Sequence, residues 1–577
     1  MTPSPVLTDP RLRPGASLLA EGRAMARDWS LGSCPFLTGE GVSSERDYKL
    51  RAARAGRIMQ HAHIGFRRID RTVEGIARLH AEAQARGVTI DRFGITLDWS
   101  MGYPPDRRAG AGRGTGIVLT GPEDFARITH ASPAAAHFGD FMLGLPGALE
   151  NCRAALVAGA TAIGNLGQYF TFRLPFWDDD VATTHATVTA LGLIAAQPAP
   201  VLVHSNLDDG FAGLFTDLTS AFGMALIERH IVEDLIGAQV SFCFGHHFSN
   251  PLTRAAFQRA LARRTETPGT MIFGNTVSYR GDAAANYASL ASYLLADIGA
   301  LMRHNSGHAI NPVPVTENLR IPDLDEILEA QTFAARLVEH AADHLAMWET
   351  EAIDALADRI EAGGRQFAAR VLAGLGDRGV DITDPAALML AIRRLGAKRI
   401  EALWGEGTPE GDRRRPSLPA DWAEELDVMA DRWLARADVA ASDLSGLRVA
   451  IGTTDVHEHG AYLVTRALSG LGAVVIDAGT AVDPDVLVAR AIEAGADVIA
   501  ISTYNGIALS YARAVLKELG QAGPGMTVLI GGKLNQIPET SNSDLPVDVT
   551  TEIAATGAFP CADLDAMLEA LRARRGT

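Results

Sequence analysis

The sequence predicts an α/β protein in which a (β/α)8 TIM-like barrel is followed by a helical connector and a Rossmann-like, flavodoxin-like domain. Three observations predict this fold class. Short apolar runs alternate with amphipathic stretches over residues 58–345, a strand-free helical stretch follows, and the alternation returns over 446–577. Such alternation is typical of parallel sheets whose strands are joined by helices. The chain has 577 residues, 47% of them hydrophobic, which suffices for several such units.

Eight apolar runs in the first part are predicted to be the barrel strands. They cover 58–62, 93–98, 138–143, 160–165, 200–204, 239–244, 270–275 and a run between Leu301 and Ile310. Most are followed by a helix-like stretch, as a (β/α)8 barrel requires, and a doubly wound sheet is the alternative. Residues 1–57, rich in Pro and Gly at first and then charged, are predicted to form an N-terminal arm.

The remainder of the chain divides into a connector and a second α/β domain. Apolar residues at helical spacing predict helices in the connector over 346–445, and the Pro/Gly-rich stretch 405–422 is predicted to be a linker. Near-continuous apolar strands at "LRVAIGTT", "AVVIDAG", "ADVIAIST" and "TVLIGGK" then predict a parallel sheet covered on both faces.

Composition excludes several classes of protein. The net charge of −17 argues against binding to nucleic acid or to an anionic membrane. The four cysteines lie far apart without C-x-x-C spacing, which argues against a disulfide framework or a zinc site. The N-terminus has no apolar signal core and no run reaches membrane-spanning length, so we expect a cytoplasmic protein.

The most informative motif follows the first strand of the second domain. Asp455-x-His457-x-x-Gly460 is followed by Ser502 and by Gly531-Gly532, each after a predicted strand. The carboxyl ends of parallel strands meet at one edge of a sheet, where ligands bind. The series resembles, in order and spacing, the cobalamin-binding signature of base-off enzymes, D-x-H-x-x-G, S-x-L and G-G. Tyr504 stands where that signature has Leu.

The chemistry of these residue types fits a cobalt site. A neutral imidazole binds cobalt, and a carboxylate behind it fixes its tautomer, so we predict His457 as the axial ligand of cobalt and Asp455 as its partner. Gly460, Gly531 and Gly532 would let the backbone approach the nucleotide tail, which the Ser502 hydroxyl can bind. The other predicted cofactor contacts here are Thr454, Val456, Thr503, Tyr504 and Lys533. His459 is predicted to be a surface or rim residue, and a solvated loop is the alternative for His457.

The first part resembles the large subunit of glutamate mutase (methylaspartate mutase), and the second domain resembles its small subunit. Residues 164–177, 244–258 and 313–322 carry the resemblance to active-site loops of that family. The resemblance implies adenosylcobalamin as the cofactor. It also implies that Glu317 contacts the adenosyl ribose and that Asn250 belongs to the cofactor-binding frame.

Other positions depart from this family. His61, Gly102 and Leu145 stand where it has three arginines that bind the substrate carboxylates. Gly164 stands where it has the glutamate that acts as base, and Val313 replaces a lysine. Bidentate arginine contacts are not replaced by such groups, so the expected substrate is not glutamate.

Polar residues at predicted strand ends are candidates for catalysis, because barrel enzymes place their sites there. These candidates are His61, His63, Asp98, His204, His246 and His247, with Asn206 and Asn275 as neighbours. Buried structural histidines are the alternative, and a metal site is disfavoured because no H-x-H…E spacing completes it. Arg67, Arg68 and Arg71 could bind a carboxylate, although a solvated helix start is the favoured interpretation.

These observations predict an adenosylcobalamin-dependent radical carbon-skeleton mutase that acts on a small amino or hydroxy acid. A methylcobalamin-dependent methyltransferase or corrinoid carrier and a non-catalytic cobalamin sensor are the alternatives. A second cofactor, pyridoxal phosphate, is disfavoured because Lys49 is the only lysine among the first 350 residues. The expected partner is a small-molecule substrate, and a homodimer is expected because symmetric dimers are the commonest oligomers.

Overall fold

The computed structural model describes two compact units. The first comprises Met1–Thr171 and Asp179–Asp421, and the second comprises Phe172–Asp178 and Trp422–Thr577. The residues that the structure does not describe are 1–5, 29–30, 112–113, 115, 209, 280–281, 411–412, 437, 441–443, 456, 505, 523–524, 537–545 and 576–577. The units thus meet in sequence at Asp421 and Trp422, whereas the sequence analysis placed boundaries at 345/346 and 445/446.

Eight parallel strands form the sheet of the first unit in the order β3-β2-β1-β8-β7-β6-β5-β4. They are β1 Met59–Ile64, β2 Arg92–Ile95, β3 Ala135–His137, β4 Ala162–Ile163, β5 Leu202–Asn206, β6 Gln239–Phe244, β7 Met271–Ile272 and β8 Ala309–Ile310. A parallel bridge between Phe138 and Ile163 joins the two ends of this order. The sheet is therefore a nearly closed barrel, the barrel prediction is confirmed, and the doubly wound alternative for this part is wrong.

Helices precede, connect and follow the strands of the barrel. They are α1 Gly15–Met25, α2 Pro35–Glu40, α3 Glu45–Arg54, α4 Ile69–Ala85, α5 Pro105–Arg108, α6 Pro122–Thr129, α7 Ala148–Val157, α8 Gly167–Thr171, α9 Asp180–Ala195, α10 Leu218–Arg229, α11 Pro251–Ala262, α12 Ala283–Arg303, α13 Leu324–Glu339 and α14 Ala341–Leu345. Side-chain oxygens cap the N-termini of several helices. At α9, for example, Asp179 accepts from the amides of Val181 and Ala182. The third strand differs from the prediction, because residues after Phe138 leave the barrel wall and turn at Phe141, which has a φ of 59°.

The segment predicted as an arm, 1–57, contains three helices, and α3 closes the amino-terminal end of the barrel. The Glu45 amide donates to Thr161 Oγ1 at 2.8 Å, just before β4. Lys49 Nζ donates to the carbonyls of Thr270 and Gly307, at 2.8 and 3.1 Å, before β7 and β8. Both charged side chains are fully buried, so the hydrogen bonds of α3 replace water at this end.

The remaining helices of the first unit are α15 Glu351–Gly376, α16 Pro385–Leu395 and α17 Ala397–Trp404. α15 packs along α10 and α11, and Asp354 on it forms ion pairs with Arg259, Arg263 and Arg303. Residues 405–422 were predicted to be a linker. Instead, they contain an antiparallel hairpin of β9 Thr408–Glu410 and β10 Arg413–Arg415.

The second unit contains a five-stranded parallel sheet in the order β12-β11-β13-β14-β17. Its elements are α18 Asp421–Leu434, β11 Arg448–Thr453, α19 His459–Gly470, β12 Val474–Gly479, α20 Pro484–Glu493, β13 Val498–Thr503, α21 Ala508–Ala522, β14 Thr527–Gly532, β15 Asn535–Gln536, β16 Val547–Asp548, α22 Thr550–Thr556, β17 Phe559–Cys561 and α23 Leu564–Arg575. The order 2-1-3-4-5 is that of flavodoxin-like folds, with a ligand-binding crevice between the first and third strands.

Alternating residues of β13 explain why both faces of this sheet are covered. Ile499 and Ile501 pack under α20 and α21, whereas Val498 and Ala500 pack under α19 and α23. The Rossmann-like prediction is confirmed. The strand β17 was not predicted from the sequence, because it is a three-residue edge strand that contains Pro560.

Among the helices of the described residues, none combines the length and the apolarity needed to cross a lipid bilayer.

Candidate functional site

The loop after β11 joins His457 to Asp455. The Asp455 carboxylate accepts from the His457 backbone amide at 2.8 Å, and it lies 2.5 Å from His457 Nδ1. Asp455 is almost fully buried, whereas the His457 side chain is 39% exposed. The carboxylate is therefore fixed inside the protein and presents the imidazole at the carboxyl edge of the sheet.

Further donors hold the other oxygen of Asp455. Thr454 Oγ1 donates to Asp455 Oδ2 at 3.0 Å, and the Tyr504 amide lies 3.2 Å from the same atom. Burial opposes ionisation, but the charge and hydrogen bonds of His457 and Thr454 outweigh it and hold the pKa of Asp455 below its ordinary value. An ionised Asp455 accepts the proton of Nδ1, which makes Nε2 the nitrogen suited to bind a metal.

The register of three strands aligns the other predicted cofactor residues with this loop. Thr453 pairs with Ser502 across β11 and β13, and Ser502 pairs with Gly531 across β13 and β14. A Cβ built on Gly460 would lie 2.6 Å from Ser502 Oγ. Only a glycine leaves the Ser502 hydroxyl accessible from α19, so this pair forms a narrow slot at the switch point of the sheet.

Tyr504, Lys533 and Thr503 surround this slot. The Tyr504 ring lies 4.4 Å from the His457 ring, and Lys533 Nζ lies 4.5 Å from the centre of the Tyr504 ring. Thr503 Oγ1 lies 3.0 Å from Thr454 Oγ1. Gly532 has a φ of 105°, and any Cβ there would clash with the Thr503 carbonyl. Val456, also predicted to bind the cofactor, lies outside the described residues.

His459 has a different environment from His457. It is the first residue of α19, and its ring stacks on Trp422 at 4.4 Å with an interplanar angle of 18°. An aromatic contact of this kind positions the start of the helix. His459 was predicted to be a surface or rim residue, and in the structure it also packs on Trp422.

Residues 447–560 match the family described as B12 binding domain. Search of the curated proteins gives no match to the chain. The matched residues contain the whole Asp455–His457 loop, the slot at Ser502 and the two glycines that end β14. The donor set fits the cofactor, because a carboxylate-supported imidazole lies beside a slot that a single Cβ would fill. The match identifies residues 447–560 as a B12-binding domain and supports a cobalamin-binding protein.

The barrel interior holds four histidines, three of which the sequence analysis named. His61 and His63 lie on β1 with ring centres 6.0 Å apart, and His204 lies on β5. His137 on β3 joins them, with ring centres 5.8 Å from His61 and 4.5 Å from His204. We name these four residues the histidine cluster. His137 was missed because the third strand was predicted to begin one residue after it.

Arg92 at the start of β2 fixes the tautomer of His61. Arg92 Nη1 lies 3.2 Å from His61 Nδ1, and a guanidinium can only donate. His61 Nδ1 is therefore the acceptor, and Nε2 carries the proton. Burial first, and then the charge of Arg92, hold the pKa of His61, His137 and His204 far below the ordinary value, so all three are neutral at pH 7.

The other predicted catalytic residues lie apart from the histidine cluster. Asp98 caps the short helix Trp99–Gly102 by accepting from Ser100, at 3.0 Å from the amide. The backbone amides of His246 and His247 donate to Asp208, and His246 Nδ1 lies 3.2 Å from Thr276 Oγ1. Among the described residues, no cluster of His, Cys, Asp or Glu has the geometry of a metal site.

Residues predicted to contact the adenosyl group, and the neighbouring asparagines, have structural roles or lie on the surface. Asn250 caps α11 by accepting from the Leu252 amide at 2.9 Å. Glu317 is exposed in the segment after β8. Asn275 accepts from Ser278, and Asn206 Oδ1 accepts from the Asp208 amide. A capping role does not exclude contact with a ligand, so these residues stay predictions.

The arginines after β1 were predicted to form a solvated helix start. Arg68 is the N-terminal boundary residue of α4, and the Arg71 guanidinium lies 4.0 Å from the centre of the Phe66 ring. The Arg71 contact is a cation–π interaction with the ring of Phe66.

Proposed function

We propose that the protein is an adenosylcobalamin-dependent radical carbon-skeleton mutase that acts on a small amino or hydroxy acid other than glutamate. The observation that carries the proposal is the buried histidine cluster inside a barrel encoded in the same chain as a B12-binding domain. Adenosylcobalamin, when bound, supplies the carbon radical that abstracts hydrogen from a substrate.

Residues of the B12-binding domain would hold the cofactor. His457 Nε2 would bind cobalt, and Asp455 would keep the imidazole oriented and basic through the 2.5 Å contact with Nδ1. Ser502 and Gly460 would line the slot for the nucleotide tail. These roles require a neutral imidazole and an ionised carboxylate, and hydrogen bonds from Thr454 Oγ1 and the His457 amide support the second requirement.

Residues of the barrel would bind and shield the substrate. Neutral imidazoles donate one hydrogen bond and accept another, so the histidine cluster can bind carboxylate, hydroxyl or amino groups. A barrel interior excludes bulk water and so protects a radical from side reactions. Arg92 keeps His61 in one tautomer, which fixes the donor that His61 offers.

The test uses the full chain with adenosylcobalamin and a panel of small amino and hydroxy acids. We expect at least one acid to bleach the adenosylcobalamin absorption bands and to yield a carbon-skeleton isomer by NMR. Bleaching and isomer formation should both be lost in His457→Ala. If no acid has either effect while methylcobalamin supports methyl transfer, the protein is a methyltransferase and the proposal is wrong.

A further inference from the structure

Several buried polar atoms inside the barrel have no hydrogen-bond partner among the described residues. They are His61 Nε2, both ring nitrogens of His137, His63 Nδ1 and Arg92 Nη2. Buried polar groups are seldom left unsatisfied, so a water or a ligand is expected to satisfy them. Their grouping around β1, β2 and β3 indicates one binding site rather than scattered defects.

The site is made mainly of donors. His61 Nε2 carries a proton because Arg92 occupies Nδ1, and the Arg92 guanidinium offers only donors. His137 supplies one further donor from whichever ring nitrogen is protonated. Oxygen atoms without protons, as in a carboxylate, match such a set better than hydroxyl or ammonium groups do.

The charge of this end of the barrel also favours an anion. Arg92 Nε lies 2.5 Å from Glu45 Oε1, and Lys49 Nζ lies 3.8 Å from the same oxygen. One carboxylate therefore faces two basic groups, all of them fully buried. Below about pH 7, where Lys49 is protonated, a second carboxylate brought by a ligand would offset the remaining positive charge.

Two glycines beside the histidine cluster leave space for the rings of His61, His63 and His137. A Cβ on Gly94 would lie 2.5 Å from His61 Nε2 and 2.6 Å from His63 Nδ1. A Cβ on Gly139 would lie 2.9 Å from His137 Nε2. Small residues at both positions keep the unpartnered nitrogens clear of neighbouring side chains.

We propose that His61, His137 and Arg92 form a carboxylate-binding subsite in the barrel interior, which receives the acid group of the substrate. This inference rests on the proposed mutase function for the identity of the ligand as a substrate. In this subsite, two histidines and one arginine would take the role that three arginines have in the family that the sequence resembles.

The test measures binding of small acids to the full chain by calorimetry, without and with adenosylcobalamin. The probes are 2-hydroxy and 2-amino acids of three to five carbons and the primary amides of the same compounds. We expect acids to bind and amides to bind about 10-fold more weakly or worse, since an amide lacks the charge. If the wild-type chain binds acids and amides equally well, or binds neither, the proposal is wrong.

Variants locate the site. His137→Phe and His61→Phe should each weaken acid binding about 10-fold or more, since about 1.4 kcal/mol of donor contact is lost. His137→Gln, which keeps an N–H donor, should restore part of the affinity. His80→Phe, a change on the outer helix α4, is the matched control and should bind like the wild type. Acid binding that is unchanged in both cluster variants overturns the subsite.

The same measurements separate this inference from the proposed function. If acids bind through His137 but none is isomerised with adenosylcobalamin, the subsite stands and the mutase proposal is wrong. If an acid is isomerised with an unchanged KM in His137→Phe, the mutase proposal stands and the subsite is wrong.

Discussion

At the scale of single residues, the pair Asp455–His457 should determine cobalt ligation. We expect His457→Ala to lose the base-off, histidine-bound visible spectrum, because the methyl group cannot bind cobalt. His459→Ala is the matched control: it removes a histidine two positions away that stacks on Trp422 instead. An unchanged spectrum in His457→Ala would remove this residue as the ligand.

Asp455→Asn should have a milder effect than His457→Ala. An amide can still accept from Nδ1 but carries no charge, so the imidazole becomes less basic. We expect cobalamin affinity to fall about 10–100-fold, measured by spectroscopic titration. Wild-type affinity in Asp455→Asn would show that the 2.5 Å contact does not support metal binding.

Gly460 should be required for space rather than for backbone freedom. An Ala Cβ there would lie 2.6 Å from Ser502 Oγ, so the hydroxyl must rotate away or the slot must widen. We expect Gly460→Ala to weaken cobalamin binding without loss of fold by circular dichroism. Gly520→Ala on α21, where a Cβ meets nothing within 4 Å, is the control that should bind normally.

At the scale of secondary-structure elements, the sequence predicted the long strands better than the short ones. The predicted strand 239–244 coincides with β6, because four of its six residues are apolar and a turn at Gly245 follows. β4, β7 and β8 have two residues each, too few to show an alternation. β3 was misplaced because "FGDFML" is apolar but turns at Phe141, and tertiary packing rather than pattern selects "AAH".

The two candidate sites also differ in how well they could be predicted from the sequence. The Asp455–His457 loop could be predicted because a local motif carries it, and the structure brings its parts together. The histidine cluster could be predicted only in part, since closure of the barrel brings β1, β3 and β5 together from distant positions. Arg92 was missed because it lies one residue before the predicted strand and nothing in its neighbourhood marks an inward-facing arginine.

Helix α3 should make barrel stability depend on pH through Lys49. Burial, and then the charge of Arg92, lower the pKa of Lys49 to about 7, against 10.5 for the ordinary group. Between these two values the unfolded chain binds the proton and the folded chain does not, so stability rises with pH across this window. Below about pH 7 both states are protonated and the cost of burying the charge is fully present.

We expect Lys49→Met to remove the rise of folding stability with pH. Urea midpoints of wild type and variant, measured at about pH 6 and about pH 9, should differ in their pH dependence, with a smaller increase in the variant. Lys398→Met changes an exposed lysine of α17 and should behave as the wild type does. Parallel pH dependence in Lys49→Met and wild type would contradict the assignment.

At the scale of the whole molecule, the proposed function requires both units of the chain. Under that proposal, the B12-binding domain would provide a ligand for cobalt, and the barrel would provide buried hydrogen-bonding groups for a substrate. One polypeptide would then supply both functions. We nevertheless predict a homodimer, because symmetric dimers are the commonest oligomers. Light scattering that gives the mass of one 61.2 kDa chain would contradict it.

The substrate preference follows from the charged groups of the whole barrel. Glutamate and 3-methylaspartate bring two carboxylates and an ammonium group, whereas the proposed subsite offers one cationic side chain, Arg92, already paired with Glu45. A buried charge left without a partner costs about 3–5 kcal/mol, which is a loss of about 10²–10³-fold or more in binding. We therefore expect no turnover of either compound with adenosylcobalamin, measured by chiral chromatography of the products. An acid with one carboxylate should be turned over under the same conditions. Glutamate turnover at an ordinary enzymatic rate would mean that His61, Gly102 and Leu145 do not stand in place of the carboxylate-binding arginines.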